Sequence, residues 1–251
     1  MSKHIIVSNE GFTRTIVMRR PEKRNALTRE MFVEMSEAIE SAQSDPAIRC
    51  LILAGRSGVF SAGDDLVEIL EDASGEPDAG RSRLVFLRSL INNKKPLIAA
   101  VDGPAVGTGA TMVLHCDYVI ASTTSSFSYP LIRYGLVPEG ASSLLLPRMA
   151  GHQIAFSMLV MGHTVSAEQA REAGFVNVVV PPGHAVSEAH KAARELGELL
   201  PDAVARSREL LKLPAADLLR RMEQEEQLVE QRLRLPPVIA AFKRFLARSE
   251  E

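Results

Sequence analysis

Three short runs constrain this chain most: "IRCLILAG" (48–55), "LIAAVDG" (97–103) and "CDYVIAS" (116–122). Each is nearly unbroken in apolar and small residues, the pattern of a strand buried on both faces. Helical segments stand between them. "TREMFVEMSEAIESAQS" sets Phe32, Met35, Ala38, Ile39 and Ala42 at helical spacing, with Thr28 placed to cap the start. Continuous apolar strands alternating with helices predict an α/β core. Upstream, "KHIIVSNEGFTRTIVMRR" predicts a hairpin around Asn9-Glu10-Gly11. Past about residue 140 the β signal fades, "FVNVVV" excepted, and from Gly183 the pattern is almost wholly helical. Pro201, Pro214 and Pro236-Pro237 punctuate those helices. The expected organisation is an α/β core over residues 1–195 and a C-terminal helical region over 196–251, with no long linker between them. Residues 73–80, "ASGEPDAG", read as a mobile surface loop.

Composition narrows the function classes. Over 251 residues, 46% are hydrophobic and 24% charged, enough for a sizeable core. The net charge of −2 comes without any basic stripe, which argues against nucleic acid as the main partner. Cys50 and Cys116 lie in apolar, strand-like segments and read as buried free thiols of a reduced compartment. "MSKHIIVSNEG" lacks the apolar core of a signal peptide, and no run approaches the roughly 18 apolar residues of a membrane span, so a soluble cytoplasmic protein is expected. The six histidines show no H-x-x-x-H pair, so no metal site is expected. His115 and His163, each among apolar residues, read as core histidines. The acidic run "MEQEEQLVEQ" reads as a solvated helical face, its leucines candidates for an interface between copies.

Two strand-to-helix turns share one design: "FSAGDDL" (60–66) and "DGPAVGTGATM" (102–112). Each puts small residues where a strand hands over to a helix, leaving backbone N–H groups open to a ligand. Side by side, two such turns could aim two N–H donors at one oxygen. A steric need for glycine in tight turns is the plainer explanation of either alone. "GTGATM" is no dinucleotide-binding loop, because Met112 stands where the last glycine of G-x-G-x-x-G belongs.

A third feature is Glu139, held between Pro138 and Gly140 in "YGLVPEGASSLLLPRMAG", where the only other charge is Arg148. A carboxylate in apolar surroundings loses hydration and needs a partner or a use. It could serve as a first-turn acid on the helix that follows, favoured by the helix dipole.

Together "RPEKRNALT" (20–28), "FSAGDDL", "KPLIAAVDGPAVGTGATMVLHCDYVIAS" (95–122) and "GLVPEG" (135–140) resemble the crotonase superfamily, that of the enoyl-CoA hydratases and isomerases. The resemblance runs from about residue 5 to the C-terminus. It implies a spiral of ββα units with a C-terminal helical region, assembled as trimers or pairs of trimers. It implies an acyl-CoA substrate, with CoA as part of the substrate and no metal or redox cofactor. The oxyanion hole falls on the backbone N–H groups of Asp64 and Thr108. The Asp64 carboxylate is an oddity there, since it would oppose developing negative charge, and is expected to turn away from the thioester. CoA or substrate contacts fall on Arg24, Ala26 and Leu27, then on Ser61, Ala62, Gly63, Asp65 and Leu66, and on Gly107 in the second turn. Phe245 and Arg248 resemble weakly the family's C-terminal contacts.

The two glutamates of the hydratases map onto Thr111 and Leu131, neither of which can exchange a proton at neutral pH. The P-E-G context of Glu139 is similar to the peroxisomal-type Δ3,Δ2-enoyl-CoA isomerases, where one glutamate is the base. A 3-enoyl thioester has acidic C2 protons, because the dienolate spreads charge onto the thioester oxygen. One carboxylate can take the C2 proton and return it at C4. Hydration or another crotonase reaction is the alternative. A binding protein that kept the fold and lost the chemistry is a second one.

Overall fold

The computed structural model describes residues 3–56, 58–73 and 79–249, leaving out the side chains of 72–73, 79–80 and 245–249. Strands β1 (Ile5–Glu10) and β2 (Thr13–Met18) form an antiparallel hairpin through Gly11, whose φ of 55° suits glycine. Helix α1 (Arg29–Ser44) follows, its first turn capped by the Thr28 hydroxyl, which accepts from the Met31 N–H at 3.3 Å. Strand β3 (Cys50–Gly55) leads to α2 (Leu66–Ala73) and α3 (Ala79–Asn92). Then come β4 (Leu97–Val101), β5 (Pro104–Val106) and α4 (Thr108–Val113). Next are β6 (Tyr118–Ser122), β7 (Ser126–Ser128), α5 (Ser142–Ala150) and α6 (His152–Leu159). Strand β8 (Val165–Ser166), α7 (Ala167–Glu172) and β9 (Val178–Val180) precede the helices α8 (Ala185–Gly197), α9 (Pro201–Leu211), α10 (Ala215–Leu233) and α11 (Pro236–Ser249).

The six-stranded sheet runs β1-β2-β3-β4-β6-β9, with every pairing parallel after the first. Strands β3 and β4 are buried along almost their whole length, as their unbroken apolar sequence requires. A second, smaller layer pairs β5, β7 and β8, and Ser61 bridges onto Ala105 at its edge. From β3 to α5, each turn of the chain contributes one strand to the large sheet, one short strand or bridge to the small layer, and then helix. This is a spiral of ββα units ending in helices. Its practical consequence is that the short second strands bring the segments at 61–64 and 105–108 alongside each other.

Several expectations are corrected. Cys116 lies in the turn after α4 and is partly buried, since β6 starts only at Tyr118. His163 is exposed, because the chain leaves the core after α6 at Gly162 (φ 67°), and its ring meets the Ser157 hydroxyl. The "ASGEPDAG" loop is largely outside the described residues, with α2 ending at Ala73 and α3 starting at Ala79. No helix among the described residues is long and apolar enough to cross a membrane.

Candidate active site

Asn25 organises the first wall of the site. Fully buried with φ 55°, it donates to the carbonyls of Arg56 (2.9 Å) and Val59 (2.7 Å) and accepts from the Arg20 N–H (2.7 Å). This clasp ties the "KRNAL" turn to the loop before "SAGDDL". The backbone then interlocks. Ala62 N–H donates to Arg24 O at 3.0 Å, Leu27 N–H to Gly63 O at 2.8 Å, and Asp65 N–H to Leu27 O at 2.9 Å. The residues expected to contact CoA, namely Arg24, Ala26, Leu27, Ser61, Ala62, Gly63, Asp65 and Leu66, therefore lie on two adjoining segments. Arg24 is exposed, free to reach an anion, whereas Asp65 is engaged by Arg20 at 2.6 Å. The side chains of Phe245 and Arg248 are outside those described.

The two glycine turns meet. A Cβ on Gly63, at φ 86°, would stand 2.6 Å from Val106 O and 3.6 Å from the Gly107 Cα, so only glycine allows this approach. Thr108 begins α4, where a helix leaves its first N–H groups without internal partners. Among the described residues, neither the Thr108 nor the Asp64 N–H meets a protein acceptor. The Asp64 carboxyl bends onto Thr108, whose hydroxyl is 2.6 Å from Asp64 Oδ2. Burial and the nearby Glu139 push that carboxyl up to about 7, so the opposition expected of a fixed anion is relieved over part of the neutral range.

Glu139 is 2% exposed and lies against the same threonine, Oε1 being 2.5 Å from Thr108 Oγ1. Its other oxygen faces Arg83 Nη1 at 3.1 Å. It does not cap the helix that follows. That task belongs to Glu225 of α10, which accepts from the N–H groups of Ala141 (2.6 Å) and Ser143 (3.0 Å) and from the Ser143 hydroxyl. Arg83 is anchored from behind by Glu226, to which Nη2 donates at 3.0 and 2.8 Å. Beneath the Glu139 turn, His115 Nε2 lies 2.8 Å from Gly140 O. Burial lowers the His115 pKa to about 4, so the ring is neutral near pH 7 and donates to that carbonyl.

Glu225 and Glu226 overturn the solvated reading of "MEQEEQLVEQ". They are 5% and 9% exposed and share the inner stripe of α10 with Leu218, Met222 and Val229. Arg83 sits likewise on the inner face of α3, ahead of Phe86, Leu87 and Leu90. The sequence signal was available in both helices, as a charge at a position the helical period assigns to the core.

Thr111 and Leu131, at the positions of the hydratase glutamates, are a buried hydroxyl without a partner among the described residues and a partly buried leucine. Leu131 packs in an apolar cluster where Val238 and Phe242 of α11 cover Ile69 and Leu136, and Tyr134 stacks on Phe242 at 4.8 Å. The chain's last helix thus closes over the region between the first glycine turn and the Glu139 loop. A separate groove of about 1320 Å³ runs between α8, α9 and the base of the core, lined by Leu114, Leu145, Met149, Leu196 and Leu211. It contains none of Asp64, Thr108 and Glu139.

A ββα spiral carrying two opposed glycine turns beside a buried glutamate defines an acyl-thioester-processing enzyme of the crotonase type. Residues 10–235 match the family model described as enoyl-CoA hydratase/isomerase, and the chain belongs to that family. It is 36% identical over 201 residues to 1,2-epoxyphenylacetyl-CoA isomerase of Escherichia coli (strain K12), covering 78% of this chain and 77% of that one. Similarity extends to enoyl-CoA delta isomerase 2 of Rattus norvegicus, 31% identical over 90% of this chain and 58% of that protein. The enoyl-CoA hydratase EchA19 of Mycobacterium tuberculosis is 34% identical over 80% of this chain and 79% of its own. Among solved structures, that of OdaA from Pseudomonas aeruginosa superposes with a TM-score of 0.91 at 38% identity, covering 97% of this chain and 99% of that one.

Proposed function

We propose that this enzyme is a Δ3,Δ2-enoyl-CoA isomerase. The observation that carries the reading is the seat of Glu139: a buried carboxylate hydrogen-bonded to the residue whose N–H heads the second oxyanion turn. A thioester oxygen held by the Asp64 and Thr108 N–H groups brings C2 next to that carboxylate. Glu139 takes the C2 proton, the electron pair passes into the dienolate, and the oxygen charge is held by the two N–H donors. Donors of this kind are worth roughly 10²–10³ in rate each. Glu139 then returns a proton to C4, leaving the conjugated 2-enoyl ester. Arg24 with Ala26, Leu27 and residues 61–66 forms the wall that receives CoA, guanidinium against phosphate. Likeness to an enoyl-CoA delta isomerase supports the reading.

A second reading, hydration, is favoured by one observation: another carboxyl, that of Asp64, lies one hydroxyl away from Glu139. Turnover of trans-3-hexenoyl-CoA and crotonyl-CoA, followed by ultraviolet absorbance, separates the two. Conjugation from the 3-enoyl ester that vanishes in Glu139→Gln, with crotonyl-CoA untouched, is the expected result. Hydration of crotonyl-CoA would overturn it, and retained CoA-ester binding without either reaction would point to a binding protein. Assembly as a trimer or pair of trimers belongs to the same proposal. The exposed Leu199, Leu200, Leu210 and Leu211 support a covered face, which sedimentation tests directly.

A further inference from the structure

The Thr108 hydroxyl touches two carboxyl oxygens at once, Asp64 Oδ2 at 2.6 Å and Glu139 Oε1 at 2.5 Å. A hydroxyl has one proton to give. It donates to one of the two acids, and the other short contact needs a proton on the carboxyl itself. With both acids ionised, one of these contacts would oppose lone pair to lone pair at hydrogen-bond distance. This geometry therefore holds one proton beyond the threonine's own.

The surrounding charges say where it rests. Glu139 faces Arg83 at 3.1 Å, whereas Asp64 has no ion pair among the described residues. From α10, Glu226 is bound to Arg83, and Glu225 is committed to Ala141 and Ser143. Tyr129, also buried, stays neutral, its hydroxyl pushed up by burial and by the nearby Glu139. Arg83 is paired with Glu139, and burial with the nearby Glu139 raises the Asp64 carboxyl, so the proton rests on Asp64. Asp64 is also the partly exposed residue of the pair, against 2% exposure for Glu139, so the shorter way from this group to solvent runs past Asp64.

We propose that Asp64 and the Thr108 hydroxyl form a proton path joining the buried Glu139 to solvent. The proposal rests on the reading of Glu139 as the proton carrier. In the forward step Glu139 takes the C2 proton, its O–H bond forming as C2–H breaks. With Glu139 protonated, Asp64 releases its own proton to water, and Glu139 then passes the C2 proton to Thr108 Oγ1 while the threonine's own proton moves to Asp64 Oδ2. The negative charge crosses from Asp64 to Glu139, and no other reactant is consumed. Asp64 then exchanges its proton with water, and the reverse transfer recharges Glu139 with a solvent proton for C4. The Asp64 carboxyl acts through Thr108 and touches no reacting atom, so its role is that of a positioning and relay group.

Two measurements test this. Turnover of trans-3-hexenoyl-CoA in D₂O reads the deuterium placed at C4. Wild type is expected to incorporate solvent deuterium, with several-fold less in Thr108→Val and in Asp64→Asn, both of which keep their backbone N–H groups. Thr108→Ser is expected to restore incorporation. Equal incorporation in all four proteins, or none in wild type, overturns the path. The second readout needs no turnover and so stands even if the isomerase reading fails. Infrared spectra of the free enzyme across pH are expected to show a protonated carboxyl at pH 6. That band should be missing in Asp64→Asn and should titrate at a different pH in Thr108→Val. Its absence from wild type, or identical titration in Thr108→Val, overturns the shared proton. Circular dichroism verifies the fold of each variant, and Thr108→Ser carries the comparison if Thr108→Val does not fold.

Discussion

Arg83 Nη1 stands 3.1 Å from Glu139 Oε2 with both side chains buried, so the proposed proton carrier and its counter-ion are enclosed together. Glu226 closes the group on the other side of the guanidinium, at 2.8 Å. Removing one member of such a group is costlier than never having built it, because the remaining charges stay buried without compensation.

Arg83→Met is accordingly expected to lose about 3–5 kcal/mol of stability, the cost of leaving a buried charge unpaired. Arg83→Met combined with Glu226→Gln should lose less than Arg83→Met alone, since one stranded carboxylate is gone. Denaturant midpoints at constant m-value check both. A double variant no more stable than the single one would show that Glu226 does not depend on Arg83.

How much of this was legible in the chain turns on the kind of signal each residue carries. The strands, the Thr28 cap, the two glycine turns and Glu139 stand out because local chemistry marks them: apolar continuity, a capping hydroxyl, small residues at a strand end, an isolated acid. Arg83, Glu225 and Glu226 carry no such mark. Their charge reads as solvent-facing when a helix is averaged over its circumference, and only the helical phase, set by Leu218, Met222 and Val229 or by Phe86, Leu87 and Leu90, reveals a core position. Asn25 carries no local mark for another reason. Its role is to satisfy carbonyls at 56 and 59, more than 30 residues away, and nothing local announces that partnership.

The meeting of the two turns makes Gly63 a site where one methyl group matters. Its φ of 86° and the 2.6 Å approach of Val106 O leave no room for a Cβ. Gly63→Ala is expected to push residues 63–64 away from 106–108, separating the two N–H donors. A fall in kcat/KM of roughly 10²–10³ is anticipated, the effect of losing one oxyanion donor. Activity near wild type would mean that the Asp64 N–H is not one of the donors.

His115 links pH to stability below neutrality. Its folded pKa, about 4, lies below the unfolded value of 6.5, because burial disfavours the charged ring. The contribution is intact above pH 6.5 and is lost progressively as pH falls toward 4. At pH 5 the loss amounts to about 2 kcal/mol. His115→Gln, which can still donate toward Gly140 O, should flatten the decline in urea midpoint between pH 7 and pH 4. An unchanged slope would assign the decline to other groups.

Asp64 is linked in the opposite sense. Its folded pKa is raised to about 7 from 3.8, so its neutral form is favoured by folding. That contribution is complete below pH 3.8 and is lost as pH rises through about 7, since ionisation then places a second negative charge beside Glu139. Asparagine reproduces the shape of the protonated acid, and its amide can donate to Thr108 Oγ1 while the threonine donates to Glu139. Asp64→Asn is therefore expected to be more stable than wild type at pH 8, with the difference shrinking as pH falls toward 5. Thermal unfolding of the two proteins at matched ionic strength across that range supplies the comparison. A stability difference that does not vary with pH would mean that Asp64 carries the same charge folded and unfolded, and the shared proton would then lie elsewhere in the group.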